Sequence, residues 1–372
     1  MSAPGPDRER LPATGSGTAT EPLPEGEACP WAEDFLGPSF ESRPLPLRPD
    51  AEGAVVATLI RSAAPAAGVA PDVPPAADGQ AKVQVVLYLH GWADYFLQTE
   101  LAEHLTSAGF HFYALDLRKF GRSLREWQTA GYATNLDIYD EDISAAIAAI
   151  RADLSPGTGP DGPLSVHMLA HSLGGLIAAL WADRHPGQLA SLILNAPWLE
   201  LQGSSLVRNL AMRLVEPVAR ADPRRPFLLP EMPGYWQSVS SAAHGEWELN
   251  PVWRPAASFP IRAGWVKAVL AGHAAVARSL DIAVPVLVML SDRTRIQPEW
   301  SEELMHADAV IDVEETASRA LRLGRKVSVF RYPGAIHDVF LSQQRIRQAA
   351  YRDVACWVGS YPCGEAASTA PP

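Results

Sequence analysis

Short, continuous apolar runs alternate with longer amphipathic segments through most of the chain. Apolar runs of this length are typical of strands buried on both faces, and the longer segments have the apolar spacing of helices. The predicted strands are 53–61, 82–89, 110–117, 164–169, 189–196, 284–290 and 326–332. The predicted helices are 99–109, 136–154, 173–185 and 343–358. This order predicts an α/β fold with a mostly parallel central sheet that has helices on both faces.

Two regions depart from this alternation. Residues 1–30 are rich in Pro, Gly, Ser, Thr and Ala with almost nothing to bury, which predicts a disordered N-terminal tail. The segment of about 198–280 has several prolines and no clear strand, so we expect a helical cap over the carboxyl ends of the strands. Residues 31–372 would then be one domain with this cap as an insertion. The cap contains Trp236, Trp247, Trp253 and Trp265.

Composition restricts the partners and the compartment. The chain has 372 residues, of which 47% are hydrophobic and 20% are charged, as in a soluble globular protein. Its net charge of −11 offers no attraction to nucleic acid or to an anionic membrane. Three widely spaced cysteines, no apolar leader at the N-terminus and no apolar stretch of membrane-spanning length predict a cytoplasmic protein without an integral membrane segment. The sequence leaves the oligomeric state open.

The letters "AHSLG" place Ser172 between the predicted strand 164–169 and the helix that follows. Small residues two before and two after a serine, here Ala170 and Gly174, allow the tight strand-to-helix turn that exposes a nucleophile. The helix behind Ser172 presents free N–H groups and a positive dipole end toward developing negative charge. A serine that only caps a helix gives the same letters, so the neighbouring motifs have to decide between the two interpretations.

The stretch "LYLHGWADYF" supplies such context two strands before the serine. A strand ends at His90, and Gly91 allows the backbone to turn so that a main-chain N–H faces the site. The N–H groups of Trp92 and Leu173 would together form an oxyanion hole for a tetrahedral intermediate.

His337 follows the last predicted strand in a loop that contains glycine, "YPGAIHDVFL". A histidine has a pKa suited to accepting the proton of a serine hydroxyl, and this one stands last in the chain order Ser, acid, His. A structural role is the common alternative for any single histidine.

The acid has two main candidates. Asp292 directly follows a predicted strand, where the third member of such a triad is expected. Asp308 is separated from His337 only by one predicted helix and one strand, which makes it the favoured candidate; residues 291–307 are then a short insertion. The other of the two is expected to cap a helix or order a loop. Weaker candidates are Asp312 and Asp338.

No motif demands a cofactor or a metal. "GTGPDG" at 157–162 has the spacing of a dinucleotide loop, but it leads into a strand and contains a proline, whereas such a loop must follow a strand and open a helix. The sequence contains no phosphate-binding Walker motif, no H-E-x-x-H pair and no EF-hand loop.

Four stretches, "LHGWADY", "YALDLRKFGRS", "AHSLGG" and "GAIHDVF", stand in the order of one known family. The chain resembles an α/β-hydrolase of the serine aminopeptidase (S33), lysophospholipase and monoacylglycerol-lipase-like group over roughly residues 50–360. It departs from the group's pattern in Ala170, which replaces the first glycine of G-x-S-x-G, and in the displaced acid.

The resemblance implies that Ser172 is the nucleophile, His337 the base and Asp308 the acid, with main-chain donors at Trp92 and Leu173. Members of the group cleave esters, acylglycerols, lysophospholipids or, in some cases, peptides. The resemblance therefore specifies the mechanism better than the substrate.

Carboxylic ester hydrolysis through an acyl-enzyme is the leading hypothesis, with a small-molecule ester, lipid-like or aromatic, as substrate. The cap tryptophans would line an acyl pocket or would pack the cap onto the sheet. A second hypothesis, peptide hydrolysis at a free amino terminus, needs a carboxylate in the cap to bind the ammonium group. The candidates are Glu200, Glu231, Glu246 and Glu248. A third, a non-catalytic binding protein of the same fold, is disfavoured because all three residue types of the triad are present.

Overall fold

Nine strands form one sheet in the part of the chain that the computed structural model describes, residues 29–64, 82–158, 164–201, 215–227 and 233–361. The strands are β1 Ala32–Asp34, β2 Gly37–Asp50, β3 Gly53–Ser62, β4 Val83–Leu89, β5 His111–Asp116, β6 Leu164–His171, β7 Ser191–Asn195, β8 Val286–Ser291 and β9 Val327–Tyr332. Their order in the sheet is β1-β2-β3-β5-β4-β6-β7-β8-β9. The strands from β5 to β9 in this order are parallel, and β1, β2 and β3 are antiparallel. The predicted mostly parallel sheet is confirmed.

The sequence pattern did not predict β1 and β2. Four prolines interrupt β2, and proline removes a ladder hydrogen bond. Pro44 and Pro46 are two residues apart, so both lack an N–H on the same side of the strand. β1 pairs with β2 only as far as Ser42, and beyond it β2 has a neighbour on one side, β3. Pro44 and Pro46 therefore lie where one side of β2 has no neighbouring strand among the described residues, so their missing N–H groups can face that side without loss of a hydrogen bond.

Helices cover both faces of the sheet. They are α1 Thr99–Ser107, α2 Tyr139–Thr158, α3 Ser172–Arg184, α4 over 215–221, α5 Gly234–Val239, α6 Ala263–Arg278, α7 Val313–Ala320 and α8 Gln344–Ser360. Successive residues of a strand point to opposite faces. In β4, Val85 and Leu87 therefore pack in the core formed with α2, α3 and α6, whereas Val86 and Tyr88 pack in the core formed with α1 and α8.

Between β7 and β8 the chain leaves the sheet and forms α4, α5 and α6. We call residues 198–280 the cap segment; its residues 202–214 and 228–232 lie outside the described part of the chain. Two ion pairs tie it to loops of the sheet: Arg254 with Asp94 at 2.8 Å and Arg224 with Glu52 at 2.5 Å. The cap segment therefore lies against the residues that follow β4 and against the turn between β2 and β3.

The predicted N-terminal tail cannot be compared with the fold, because residues 1–28 lie outside the described part of the chain. Of the two remaining residues, Cys29 is buried. None of the described helices is both long enough and apolar enough to cross a membrane.

Candidate active site

Ser172 lies at a sharp turn between β6, which ends at His171, and α3, which it begins. Its φ of 50° is in the left-handed region, which is rare for a residue other than glycine, and its exposed fraction is 8%. Gly174 is required here because a Cβ at this position would overlap the main-chain oxygen of His90. Ala170 is fully buried in β6. The sequence thus permits a strained turn that presents a hydroxyl at the carboxyl end of the sheet.

The Ser172 hydroxyl and the imidazole of His337 form a hydrogen bond, with 2.9 Å between Oγ and Nε2. On the other side of the ring, 2.9 Å separates Nδ1 from Oδ2 of Asp308. A carboxylate oxygen can only accept, so Nδ1 carries the proton and Nε2 accepts from the serine. His337 is 2% exposed and Asp308 is fully buried. The three side chains therefore form a continuous hydrogen-bonded chain that is shielded from water.

Asp308 follows β8 by many residues, but main-chain hydrogen bonds hold it beside the residues at the end of that strand. Its N–H donates to the Arg293 oxygen at 3.0 Å, and its own oxygen accepts from Arg295 N at 2.7 Å. The other carboxylate oxygen, Oδ1, accepts from the N–H groups of Val310 and Ile311 at 2.8 and 2.9 Å. The segment between Ser291 and Asp308 therefore loops out and comes back to the sheet edge.

The three other carboxylates considered for this role have different partners. Asp292 accepts from Gly334 N at 2.9 Å and pairs with Arg293. Burial raises the pKa of Asp292, but these two interactions outweigh it and hold the pKa below its usual value. Asp312 caps α7, and Asp338 accepts from two side-chain amides described below. His337 bonds only to Asp308 among the four carboxylates in question.

The segment after β4 approaches Ser172 closely. A Cβ on Gly91 would lie 3.0 Å from the His171 ring and 3.1 Å from the Cβ of Ser172. The next residue, Trp92, is followed by Ala93 with a φ of 47°, which turns the chain away from the sheet. Leu173 is the second residue of α3, where a helix offers its N–H no internal partner. Both predicted oxyanion donors therefore belong to main chain that borders the Ser172 turn.

The side chain of His90 anchors this segment through two hydrogen bonds. Its Nε2 accepts from Leu117 N at 3.0 Å, which leaves Nδ1 protonated to donate to the Gly91 oxygen at 2.7 Å. The bond fixes Gly91 against the residue that follows β5. The sequence motif "HG" predicts a role for its glycine alone, and the structure gives its histidine a separate anchoring role.

Two aromatic rings contact the imidazole of His337. The Tyr235 ring, from α5 of the cap segment, meets it at 88° with 5.1 Å between centroids, and the His171 ring lies at 4.9 Å. Burial raises the pKa of Tyr235 well above its usual value and lowers the pKa of His171. Both side chains therefore stay neutral near pH 7, and two uncharged rings flank the imidazole whose Nδ1 faces the Asp308 carboxylate. No local pattern in the sequence indicated Tyr235.

Of the four tryptophans singled out in the cap segment, three contact residues outside it, and Trp236 joins two parts of the segment itself. Trp236 and Trp247 donate their indole N–H groups to main-chain oxygens at 3.1 and 3.0 Å. Trp253 meets the ring of Tyr95 edge-on at 5.3 Å. Trp265 lies 4.0 Å from the ring of Trp92. The packing interpretation accounts for these contacts, and Trp265 in addition contacts the residue proposed to supply an oxyanion donor.

Two of the cap carboxylates considered for binding an ammonium group already pair with arginines. Glu200 forms an ion pair with Arg319, and Glu246 pairs with Arg347 at 2.9 Å. Glu248 is exposed, and Glu231 lies outside the described part of the chain.

Nothing among the described residues forms a group of three or more His, Cys, Asp or Glu side chains able to hold a metal ion. Of the glycine-containing stretch 157–162, residues 159–162 lie outside the described part, and the two before them end α2.

The chain is similar to several known proteins. The family model described as serine aminopeptidase, S33, matches residues 80–344. The monoacylglycerol lipase of Mycolicibacterium smegmatis is 25% identical over 286 residues, 74% of this chain and 88% of the relative. Lysophospholipase L2 of Escherichia coli is 27% identical over 271 residues, 69% of this chain and 74% of the relative. A soluble variant of monoglyceride lipase from Saccharomyces cerevisiae, solved with a substrate analogue, shares the fold with a TM-score of 0.55 at 15% identity, covering 85% of this chain and 95% of that one.

Proposed function

Because the chain belongs to the serine aminopeptidase S33 family of α/β-hydrolases, we propose that it hydrolyses carboxylic esters through an acyl-enzyme formed on Ser172. The observation that carries the proposal is the hydrogen-bonded chain from Ser172 through His337 to Asp308, with 2.9 Å at each step. A serine activated in this way attacks a carbonyl carbon, and the same arrangement serves acyl transfer in unrelated folds.

In the first half of the reaction, His337 Nε2 accepts the proton of Ser172 as Oγ bonds to the ester carbonyl. Asp308 keeps the ring in the tautomer that leaves Nε2 free to accept and stabilises the imidazolium. The N–H groups of Trp92 and Leu173 donate to the oxyanion, and the α3 dipole adds to this stabilisation. His337 then gives its proton to the leaving alcohol.

Water completes the cycle. His337 accepts a proton from a water molecule that attacks the acyl group on Ser172, and the second tetrahedral intermediate uses the same two N–H donors. Returning the proton to Ser172 Oγ releases the carboxylic acid and restores the starting state.

A lipid-like ester of the acylglycerol or lysophospholipid type is the proposed substrate. Support comes from the relatives, a monoacylglycerol lipase and a lysophospholipase, each matched over more than two thirds of its length. Peptide hydrolysis is the competing proposal because the matching family is described as serine aminopeptidase. It is the weaker one, because Arg319 and Arg347 neutralise two of the cap carboxylates that would bind an amino terminus.

A fluorophosphonate probe combined with a substrate panel tests the proposal. We expect the wild-type chain to be labelled and to hydrolyse p-nitrophenyl esters and monoacylglycerols faster than aminoacyl anilides. Ser172→Ala should lose labelling, and its kcat should fall on the order of 10⁵- to 10⁶-fold. Ser360→Ala, at the exposed end of α8, is the matched control and should behave as wild type. Labelling of Ser172→Ala, or a preference for the anilides, would contradict the corresponding part of the proposal.

A further inference from the structure

Asn195, the last residue of β7, is bonded to both chain segments that carry the proposed nucleophile and base. Its main-chain oxygen accepts from Nδ1 of His171 at 3.1 Å, and His171 directly precedes Ser172. Its side-chain Nδ2 donates to Oδ1 of Asp338 at 2.6 Å, and Asp338 directly follows His337. Its Oδ1 accepts from Val339 N at 3.1 Å. One residue therefore connects the Ser172 turn to the His337 loop.

The main chain of Asn195 is a rigid reference point. It pairs in register with His171 of β6 on one side and with Met289 of β8 on the other. Immediately after it, Ala196 has a φ of 44° and donates its N–H to the Met289 oxygen at 2.8 Å, which turns the chain sharply off the sheet. Because two neighbouring strands fix this position, the side chain of Asn195 leaves the sheet at a defined place.

Asp338 completes the connection on the side of the loop. Besides Asn195, it accepts from Phe340 N at 2.9 Å and from Nε2 of Gln98 at 2.9 Å. Asn195, Gln98 and Asp338 are each fully buried. A buried carboxylate that loses a hydrogen-bond donor is destabilised, so each of these bonds opposes movement of the loop.

The His337 loop needs such anchors because it lies between β9 and α8, outside regular secondary structure. Its first part is held by the bond from Gly334 N to Asp292. Other bonds hold Ala335, Phe340 and Leu341, and the bonds from Asn195 hold the two residues that directly follow His337. Acyl transfer requires the ring within hydrogen-bond distance of Oγ, and a displacement of about 1 Å can cost about 100-fold in rate.

We infer that Asn195 is a positioning residue that sets the distance between Ser172 and His337, acting through Asp338 on one side and His171 on the other. The inference rests on the function proposed above for Ser172 and His337. It assigns Asp338 a place after the base, as an anchor of the loop, distinct from the place of Asp308 at Nδ1.

The first test is Asn195→Ala, which removes both side-chain bonds and leaves the main-chain bond to His171. We expect kcat for a p-nitrophenyl ester to fall about 10- to 100-fold per folded molecule, with KM changed less than about twofold. Fluorophosphonate labelling should slow by a similar factor and still reach completion. A role in stability alone would lower the folded fraction without this change in kcat. Asn135→Ala is the control, because the exposed Asn135 caps a helical turn through a similar bond to Asp137 N, and its side-chain hydrogen bonds within the described part of the chain join it to Asp137 rather than to a site residue.

The second test exchanges the two groups. Asn195→Asp places a carboxylate against Asp338 and should reduce kcat more than Asn195→Ala does. Adding Asp338→Asn restores one amide facing one carboxylate and should raise kcat at least about tenfold above Asn195→Asp. If Asn195→Ala does not fold, the comparison of Asn195→Asp with the double variant tests the role of Asn195 instead.

A loss of less than about tenfold in folded Asn195→Ala would overturn the inference, as would an equal loss in Asn135→Ala or an exchanged pair no better than Asn195→Asp. Failure of the proposed function has a different signature, namely labelling or turnover that survives in Ser172→Ala. The two outcomes are therefore distinguishable with the same assays.

Discussion

The α carbon of Gly174 faces the main-chain oxygen of His90 so closely that no side chain fits between them. His90 begins the segment that continues through Gly91 to Trp92, the proposed oxyanion donor. The helix that carries Ser172 and the loop that carries Trp92 are thus in direct backbone contact. This contact explains why the second small residue of "AHSLG" is glycine.

Gly174→Ala should therefore reduce esterase activity by at least about 100-fold. The added methyl group must push α3 and the oxyanion segment apart, and acyl transfer depends on distances within about 1 Å. Initial rates with a p-nitrophenyl ester, normalised to folded protein by circular dichroism, measure the effect.

Ala170→Gly is the control for this change. Ala170 lies inside β6 and is fully buried, so the loss of its methyl group should cost about 0.5 to 1 kcal/mol of stability and leave kcat within about threefold. Equal losses of activity in the two variants would show that the contact between Gly174 and His90 has no special role.

The sequence predicted the strands β3 to β9. The strands β4 to β8 are apolar runs because both of their faces are covered, and such a run is visible in the sequence without knowledge of the tertiary structure. The edge strand β9 is only partly buried. β2 carries a weaker signal, because Pro44 and Pro46 are tolerated only as a result of its position beyond the end of β1. That position is a property of the sheet and cannot be read from residues 37–50 alone.

Some residues of the candidate site can likewise be predicted from the sequence, and others are identified only by the structure. Ser172, Gly91 and His337 stand in local motifs, at the ends of strands that the pattern identifies. Asn195 and Asp338 are 143 residues apart in the chain. Their hydrogen bond forms because the fold brings the end of β7 next to the His337 loop, and no spacing of residues in the sequence predicts it. The choice between Asp308 and Asp292 stayed open for a related reason, since the main-chain bonds that bring Asp308 back to β8 have no signature in the sequence.

The acid is tested by comparing two isosteric changes. Asp308→Asn should lower kcat about 10³- to 10⁴-fold, because an amide can hold the wrong tautomer of His337 and cannot stabilise an imidazolium. Asp292→Asn should lower kcat less than about fivefold, because an asparagine oxygen can still accept from Gly334 N. Steady-state rates across pH 6 to 9 with a p-nitrophenyl ester measure both. If only the Asp292 change abolishes turnover, the assignment of the acid is wrong.

The ion pair between Asp94 and Arg254 should be important for stability. Both side chains are almost fully buried, and their charged atoms are 2.8 Å apart. Arg254→Met leaves the carboxylate of Asp94 buried without its partner, which should cost about 3 to 5 kcal/mol in the free energy of unfolding. Asp94→Leu combined with Arg254→Met removes both charges and should recover at least half of that loss. Urea denaturation with linear extrapolation measures each value.

An exposed pair in the same cap segment provides the matched control. Arg220 and Glu216 are 3.0 Å apart, one helical turn from each other, with the Arg220 side chain 76% exposed. Arg220→Met should change the free energy of unfolding by less than about 0.5 kcal/mol, because water screens such a pair. A double variant at Asp94 and Arg254 that is no more stable than Arg254→Met alone would argue against a buried, uncompensated charge as the cause.

His167 should make the protein sensitive to acid. Burial in the sheet lowers its pKa from 6.5 to about 3, and the neutral ring is hydrogen-bonded to Ser191 at 2.8 Å and to Gln84 at 3.0 Å. The unfolded chain takes up a proton on this residue below about pH 6.5, whereas the folded chain does so only near pH 3. Stability is therefore lost as the pH falls through this window, by about 2 to 3 kcal/mol at pH 4.5.

His167→Gln removes the titrating group, so the free energy of unfolding of this variant should fall less than that of wild type between pH 7 and pH 4.5. The difference between the two falls should be about 2 to 3 kcal/mol in urea denaturation at the two pH values. His306→Gln is the control, because the side chain of His306 is 43% exposed and its replacement should leave the acid-induced loss unchanged. If the free energy of unfolding falls equally in wild type and in His167→Gln, the acid sensitivity belongs to other groups. Removing a histidine that is neutral when folded and protonated when unfolded must change how steeply this free energy depends on pH.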